Sequence, residues 1–183
     1  MTKLFAFCMG LLVAASASAQ QKLLPAQSEI TFVAKQMGVP LDGKFGKFDA
    51  QLAFDAKKPE AGKIAFTIDL GSAVVGDADT VKELKKPDWF NVVKFPNATF
   101  TSTSIKAAGP GKFEVAGNLS IKGNVKPVMI PVTIAPAAAG VSVAQGSFLL
   151  KRIDYKIGEG EWTDVSIVAN DVTVKFKLAL TGL

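Results

Sequence analysis

Between Ala98 and Ile134 the sequence ATFTSTSIKAAGPGKFEVAGNLSIKGNVKPVMIPVTI alternates apolar and polar residues with a period of two. In its middle part Phe113, Val115, Gly117, Leu119 and Ile121 share one face. Lys112, Glu114, Ala116, Asn118, Ser120 and Lys122 share the other. Side chains of a strand point to opposite faces in turn, so one face meets an apolar surface and the other meets water. The reversals fall at Gly109-Pro110-Gly111 and Gly123-Asn124, residue types that supply positive or fixed φ. Val128, Ile130, Val132 and Ile134 repeat the pattern in a third strand. Strands of this kind must enclose something apolar, and the question of function becomes what occupies the enclosed space.

The rest of the chain follows the same rule with one interruption. The spacing predicts a strand over Ser28–Lys35, with Ile30, Phe32 and Ala34 on its apolar face, and a loop at Gly38 and Pro40. A long second strand runs from Gly43 to Asp55, bent or bulged at Gly43 and Gly46, with Phe48, Ala50, Leu52 and Phe54 inward. Ile64, Phe66, Ile68 and Leu70 mark the third. A helix over Thr80–Lys86 then breaks the pattern, with Asp77 and Asp79 at its start, lysines at its end and Pro87 as its stop. Trp89 and Phe90 follow; being adjacent, one packs inward and the other covers an opening. The seventh strand carries Val141, Val143, Gln145, Ser147 and Leu149 on one face, with Phe148 and Leu150 opposite, so both sides are partly buried. The last strand, Asp171–Thr181, turns Val172, Val174, Phe176, Leu178 and Leu180 one way. One apolar face per strand allows a sandwich or a barrel. Up-and-down order favours an all-β, antiparallel, eight-stranded barrel with a short helical excursion between strands three and four. Pro131 lacks a ladder donor and predicts a bulge or a local break in pairing.

Residues 1–19 read as an export signal: Lys3, the apolar run Leu4–Ala15, and Ala17-Ser18-Ala19 as the cleavage pattern. The run is shorter than the roughly twenty residues of a membrane span. Cleavage is expected after Ala19, leaving residues 20–183 as a single domain. Cys8, the only cysteine, goes with the signal, so the exported protein would not depend on disulfides. The full sequence has 21 Lys and Arg against 16 Asp and Glu. That mild excess is scattered along strand faces without the aromatic interleaving of a nucleic-acid groove, so no nucleic-acid partner is expected.

Composition also limits the chemistry. With no histidine, and no cysteine beyond the signal, Ser-His-Asp and Cys-His nucleophilic sites are excluded. So are zinc sites built on imidazole or thiolate and haem with those axial ligands. Asp77 and Asp79 are the nearest approach to a metal site and read better as a helix N-terminus. Asp69, Asp88 and Glu114 are carboxylates that burial could make catalytic, yet Asp69 and Glu114 fall on solvent faces. Neither catalytic residues nor a metal are expected, and the chain reads as a binding protein rather than an enzyme.

Five segments carry a resemblance: SEITFVAKQMG, GKFGKFDAQLAFD, DWFNVVKFPNATFTS, NLSIKGNVKPVMIPV and LKRIDYKIGEGEW. In this order they resemble the YceI family of bacterial periplasmic, lipocalin-like proteins over nearly the whole exported chain. Asn124-Val125 departs from the family's usual Val-Thr after the glycine. The resemblance implies an eight-stranded barrel whose apolar pore accommodates polyisoprenoid lipids or isoprenoid-quinone-like molecules. It also implies a periplasmic location. The expected pore lining is Ile30, Phe32, Phe48, Phe66, Phe100, Phe113, Val115, Leu119, Ile130, Val174 and Phe176, with Trp89 and Phe90 at an entrance. Asn91, Lys94 and Arg152 flank aromatic segments and are the head-group candidates. The reading is then a carrier or store of such lipids, moving them between membranes or buffering them under stress. It needs no cofactor beyond the lipid itself, and transient membrane contact as a monomer or homodimer would suffice. A scavenger of assorted hydrophobic compounds, or an interaction module with a filled core, are the alternatives.

Overall fold

In the computed structural model, which describes residues 21–183, the alternation becomes one antiparallel sheet. The expected signal and its cleavage site lie outside those residues. In chain order the strands are β1 (Lys22–Leu23), β2 (Glu29–Gln36), β3 (Val39–Phe45), β4 (Phe48–Ala53), β5 (Lys63–Asp69) and β6 (Ala73–Val75). After helix α1 (Ala78–Leu84) come β7 (Asn97–Ala107), β8 (Lys112–Ile121), β9 (Asn124–Pro136), β10 (Val141–Lys151) and β11 (Asp171–Thr181). Neighbours run β4-β5-β7-β8-β9-β10-β11-β2-β3-β6, with β1 also on β11.

Among the described residues eleven strands replace the expected eight. Two of the extra ones, β1 and β6, are short. The third arises because the long second strand divides at Gly46-Lys47. The bend expected there has a larger consequence. β3 lies near one end of the ladder and β4 at the other, yet two residues join them, so the sheet must curl until its ends meet through the chain itself. Ser72 fastens the corner: its Oγ accepts from the Gly46 and Lys47 N–H groups at 3.1 and 3.0 Å. Farther along the same seam the Gln21 side chain takes the place of a strand partner. Its Oε1 accepts from Phe54 N–H at 2.8 Å and its Nε2 donates to the Phe54 carbonyl. The barrel is therefore a curled sheet, sewn along the seam rather than closed by a continuous ladder.

Helix α1 starts two residues earlier than expected. Asp77 caps it, its carboxylate accepting from Thr80 N–H at 2.8 Å; these bonds hold the Asp77 pKa below the usual carboxylate value. The β8–β9 reversal also shifts by one residue, to Lys122 and Gly123, both with positive φ (51° and 75°). That is the backbone pattern of a two-residue hairpin. Strand direction then defines two ends. One, the loop end, carries residues 37–38, 70–96, 122–123 and 152–170; the other carries 54–62, 108–111, 137–140 and both described termini.

Candidate functional site

The inward faces surround a cavity of about 130 Å³ whose wall carries no polar side chain. Eight of the expected lining residues border it: Ile30, Phe66, Phe100, Phe113, Val115, Ile130, Val174 and Phe176. Five do not. Phe32 is buried against Phe45, with ring centroids 5.3 Å apart. Phe48 is half-buried at the seam, beside the cluster of Leu23 and Ile30. Leu119, Trp89 and Phe90 pack into the core beyond the cavity. The wall runs toward the end of the molecule remote from the loops and reaches Leu183, which is 42 % exposed.

Further wall residues were not singled out as lining by the sequence, for two reasons. Leu52, Phe54, Ile64, Ile68, Val132, Ile134, Leu178 and Leu180 lay on recognised apolar faces without being distinguished from plain core. Ile105 and Phe148 are different, because their parity had to be known. The β7–β8 register slips between Ser102 and Ser104, so Thr103 is an extra residue. Ahead of it even-numbered residues point inward; after it odd-numbered ones do, and Ile105 ends 1 % exposed. In β10 the even set, Ala144, Phe148 and Leu150, faces the interior, while Gln145, Ser147 and Leu149 are exposed. The face of Val141, Val143, Gln145, Ser147 and Leu149 expected for this strand is thus largely its outer one.

Glycines shape the wall at two places. A Cβ on Gly117 would collide with the Phe100 ring and lie 2.6 Å from the Thr101 carbonyl; one on Gly146 would lie 2.5 Å from Phe176 Cζ. Each ring therefore packs against a neighbouring glycine, in the space a side chain there would fill. Phe54 and Phe113 meet edge to face, with centroids 5.1 Å apart.

The loop end is plugged, which corrects the expected entrance. Trp89 and Phe90 are both buried, at 8 % and 7 % exposure. They sit in a turn, as the sequence suggests for residues 88–91, and in a turn adjacency does not force two side chains to opposite faces. Trp89 packs on Trp162 at 5.4 Å, and its Nε1 has no hydrogen-bond partner among the described residues. Arg152 is 1 % exposed and is likewise no head-group contact. Its guanidinium donates to the carbonyls of Ala169, Ile157, Gly158, Trp162 and Val168 at 2.5–3.2 Å. Desolvation lowers its pKa. Five donors are spent on five carbonyls, and none is left for a ligand. Lys122 also turns in from its expected solvent face, its Nζ donating to the Lys156 carbonyl at 2.8 Å and to Glu159 at 2.6 Å. Burial pushes the Tyr155 pKa up to about 12, with the Asp154 charge adding to the effect. Asn91 is half-buried with φ of 51°, and Lys94 is exposed above the Phe95 ring at 5.3 Å. Neither borders the cavity.

Glu114 is exposed, as expected, and Asp69 is partly buried as a cap for Gly71 N–H at 2.8 Å. Among the described residues no group of three or more His, Cys, Asp or Glu side chains could hold a metal ion. No described helix is long and apolar enough to cross a membrane. What the arrangement can do chemically is exclude water from an apolar guest.

Known proteins fit this geometry. Residues 22–180 match the model of the YceI-like domain. The chain is 42 % identical over 90 residues to a UPF0312 protein of Azotobacter vinelandii and to the protein YceI of Salmonella arizonae. These matches cover 49 % of this chain and 47 % of each relative, so the chain spans about half the length of the curated relatives it matches. Among solved structures, Burkholderia cenocepacia BcnA superposes with a TM-score of 0.82 and 40 % identity, over 86 % of this chain and 98 % of that one. A polyisoprenoid-binding domain from Saccharophagus degradans, implicated in plant cell wall breakdown, superposes with a TM-score of 0.72 over 88 % of this chain and 98 % of that one. At 18 % identity the second likeness concerns the fold alone.

Proposed function

The chain belongs to the YceI-like domain family, and from that premise we propose that it binds a polyisoprenoid lipid or isoprenoid quinone in its apolar cavity. It carries or stores that lipid in the periplasm after export, and buffers it under stress. The observation behind this reading is the cavity wall, which is apolar throughout. Each methylene-sized unit moved from water into such a wall gains about 0.8 kcal/mol, so a single isoprenoid tail suffices for affinity. A volume of about 130 Å³ is close to that of an engineered apolar cavity that admits benzene. A longer tail must therefore spread the walls, and the rings resting on Gly117 and Gly146 are the parts free to turn. The bound lipid is the only cofactor this reading requires, and transient contact with a membrane would load it.

The wall's lack of polar groups favours one other reading. A pore that cannot test a guest's head group accepts assorted hydrophobic molecules and would act as a scavenger. Mass spectrometry of an organic extract, from protein purified out of its native compartment, separates the two. One stoichiometric isoprenoid species supports the carrier; a mixture of unrelated apolar molecules supports the scavenger. An empty extract with no uptake of added quinone refutes both and leaves a filled core. In that case Phe113→Trp should destabilise by overpacking, whereas in an open pore it should be tolerated and reduce uptake.

A further inference from the structure

β9 pairs with β8 without interruption from Asn124 to Thr133. With β10 it pairs only from Val132 to Pro136. Two prolines account for the difference. A proline fits a ladder only where its missing N–H points away from the partner strand. Pro127 and Pro131 both pair with β8, so both withhold a donor on the β10 side. Beyond the Val132–Gly146 pair, residues 124–131 and 147–151 share no ladder. Met129 and Leu149, 57 % and 55 % exposed, flank the gap. A strand added from outside would find no N–H at Pro127 or Pro131, which argues against a peptide as occupant.

At the vertex of the gap lies a depression of about 600 Å³. Its floor includes Phe113, Val132 and Phe176, residues that also line the central cavity on the other side of the sheet. Gly146 contributes no side chain there; a Cβ on it would meet the Pro131 carbonyl and the Phe176 ring. The outer rim holds Lys112, Lys175, Gln145 and Glu114. Neither lysine is in an ion pair among the described residues, and Glu114 is the only acid on the rim. The cavity wall itself offers nothing polar, so burying a head group inside would strand it without partners.

We infer that this depression is a side entrance and head-group site. The tail of a single-chain isoprenoid amphiphile passes between β9 and β10 into the cavity, and a phosphate-bearing head group stays outside on Lys112 and Lys175. The inference rests on the reading of the cavity as a lipid pore. The lysine ammonium groups act as point charges on the phosphate oxygens. The path opens just past Val132 and Gly146, the last pair that joins the two strands, where Ile130 and Phe148 line the cavity.

The test compares geranylgeranyl phosphate with geranylgeraniol by isothermal titration, for the full chain and for K112Q/K175Q. The unsubstituted protein should bind the phosphate about tenfold more tightly than the alcohol. In K112Q/K175Q that ratio should fall to near one with the melting temperature unchanged, because both lysines are exposed. A control with the same change of charge elsewhere, K44Q/K85Q, should keep the ratio. An unchanged ratio in K112Q/K175Q, no preference in the unsubstituted protein, or an equal fall in the control each overturns the head-group site while leaving the pore intact. If neither compound binds, the pore reading fails and the side entrance falls with it.

Discussion

Replacing Arg152 by methionine tests whether its guanidinium belongs to the architecture. The side chain is 1 % exposed, has no carboxylate partner among the described residues, and its five N–H donors go to five carbonyls between Ile157 and Ala169. None of those carbonyls accepts a backbone N–H within the loop. Charged-donor hydrogen bonds are worth about 1.5–3 kcal/mol each, so a naive sum would rival the whole stability of an ordinary domain. The loop can open to water when the guanidinium goes, and the desolvation of an arginine is relieved. The realistic loss is therefore that of removing one partner from a buried charged network, about 3–5 kcal/mol. Arg152→Lys keeps the charge but offers three donors for five acceptors, and should lose about 2 kcal/mol. Urea unfolding followed by tryptophan fluorescence is the assay. The protein has two tryptophans, Trp89 and Trp162, packed against each other at a tilt at this end, so the signal reports the plug itself. A loss below about 1 kcal/mol in Arg152→Met would refute the structural role. Unchanged stability with weakened lipid binding would instead return Arg152 to the head-group candidates.

Tyr155 is the sole tyrosine, so tyrosinate absorbance should titrate with one midpoint near pH 12. Its pKa is raised in the folded state, so the neutral form stabilises the fold fully below the unfolded value of 10. That stability disappears as pH rises through 12, a loss of about 3 kcal/mol that Tyr155→Phe should not show. Gly117→Ala should cost about 1–3 kcal/mol and push the Phe100 ring into the lumen; quinone uptake that stays intact would show that the ring does not border the path. Ile105→Ala removes a side chain that is 1 % exposed at the cavity wall. It should cost about 2–5 kcal/mol in urea while enlarging the pore, so a bulkier prenyl compound should bind better relative to a slender one.

The alternation was enough to identify the apolar faces, since each inward residue of β8 is named by parity alone. Gly46 was legible as a bend because a glycine in a long strand has few other uses, and Pro131 as a break because proline cannot serve two neighbours. Parity fails wherever one residue is added. Nothing in TSTS marks Thr103 as the bulge, because the choice depends on β8 lying alongside. In β10 both faces carry apolar residues, so only pairing with β9 and β11 decides that Phe148 is inside and Leu149 outside. Arg152 and Lys122 illustrate a different limit. A lone basic residue near aromatics suits a head group and a buried staple equally well, and its acceptors here are backbone carbonyls, which have no side-chain signature.

The same contrast bears on how a small cavity could admit a long guest. The loop end is held by the buried Arg152 cradle, whose bonds stay strong only while water is kept out, and by the buried Lys122 ammonium on the half-exposed Glu159. Widening the barrel there would break several of them together. The wall around the cavity is held differently, by apolar contacts that re-form after a slide, with the ladder absent along the β4 seam and ending at Val132 on the β9–β10 side. The expensive interactions are thus concentrated where the structure has no reason to move. The two discontinuities lie where a tail would need room. A sheet closed by hydrogen bonds all round would resist expansion equally on every side; this one is unpaired along two lines, and Ile130 and Phe148 line the cavity beside one of them.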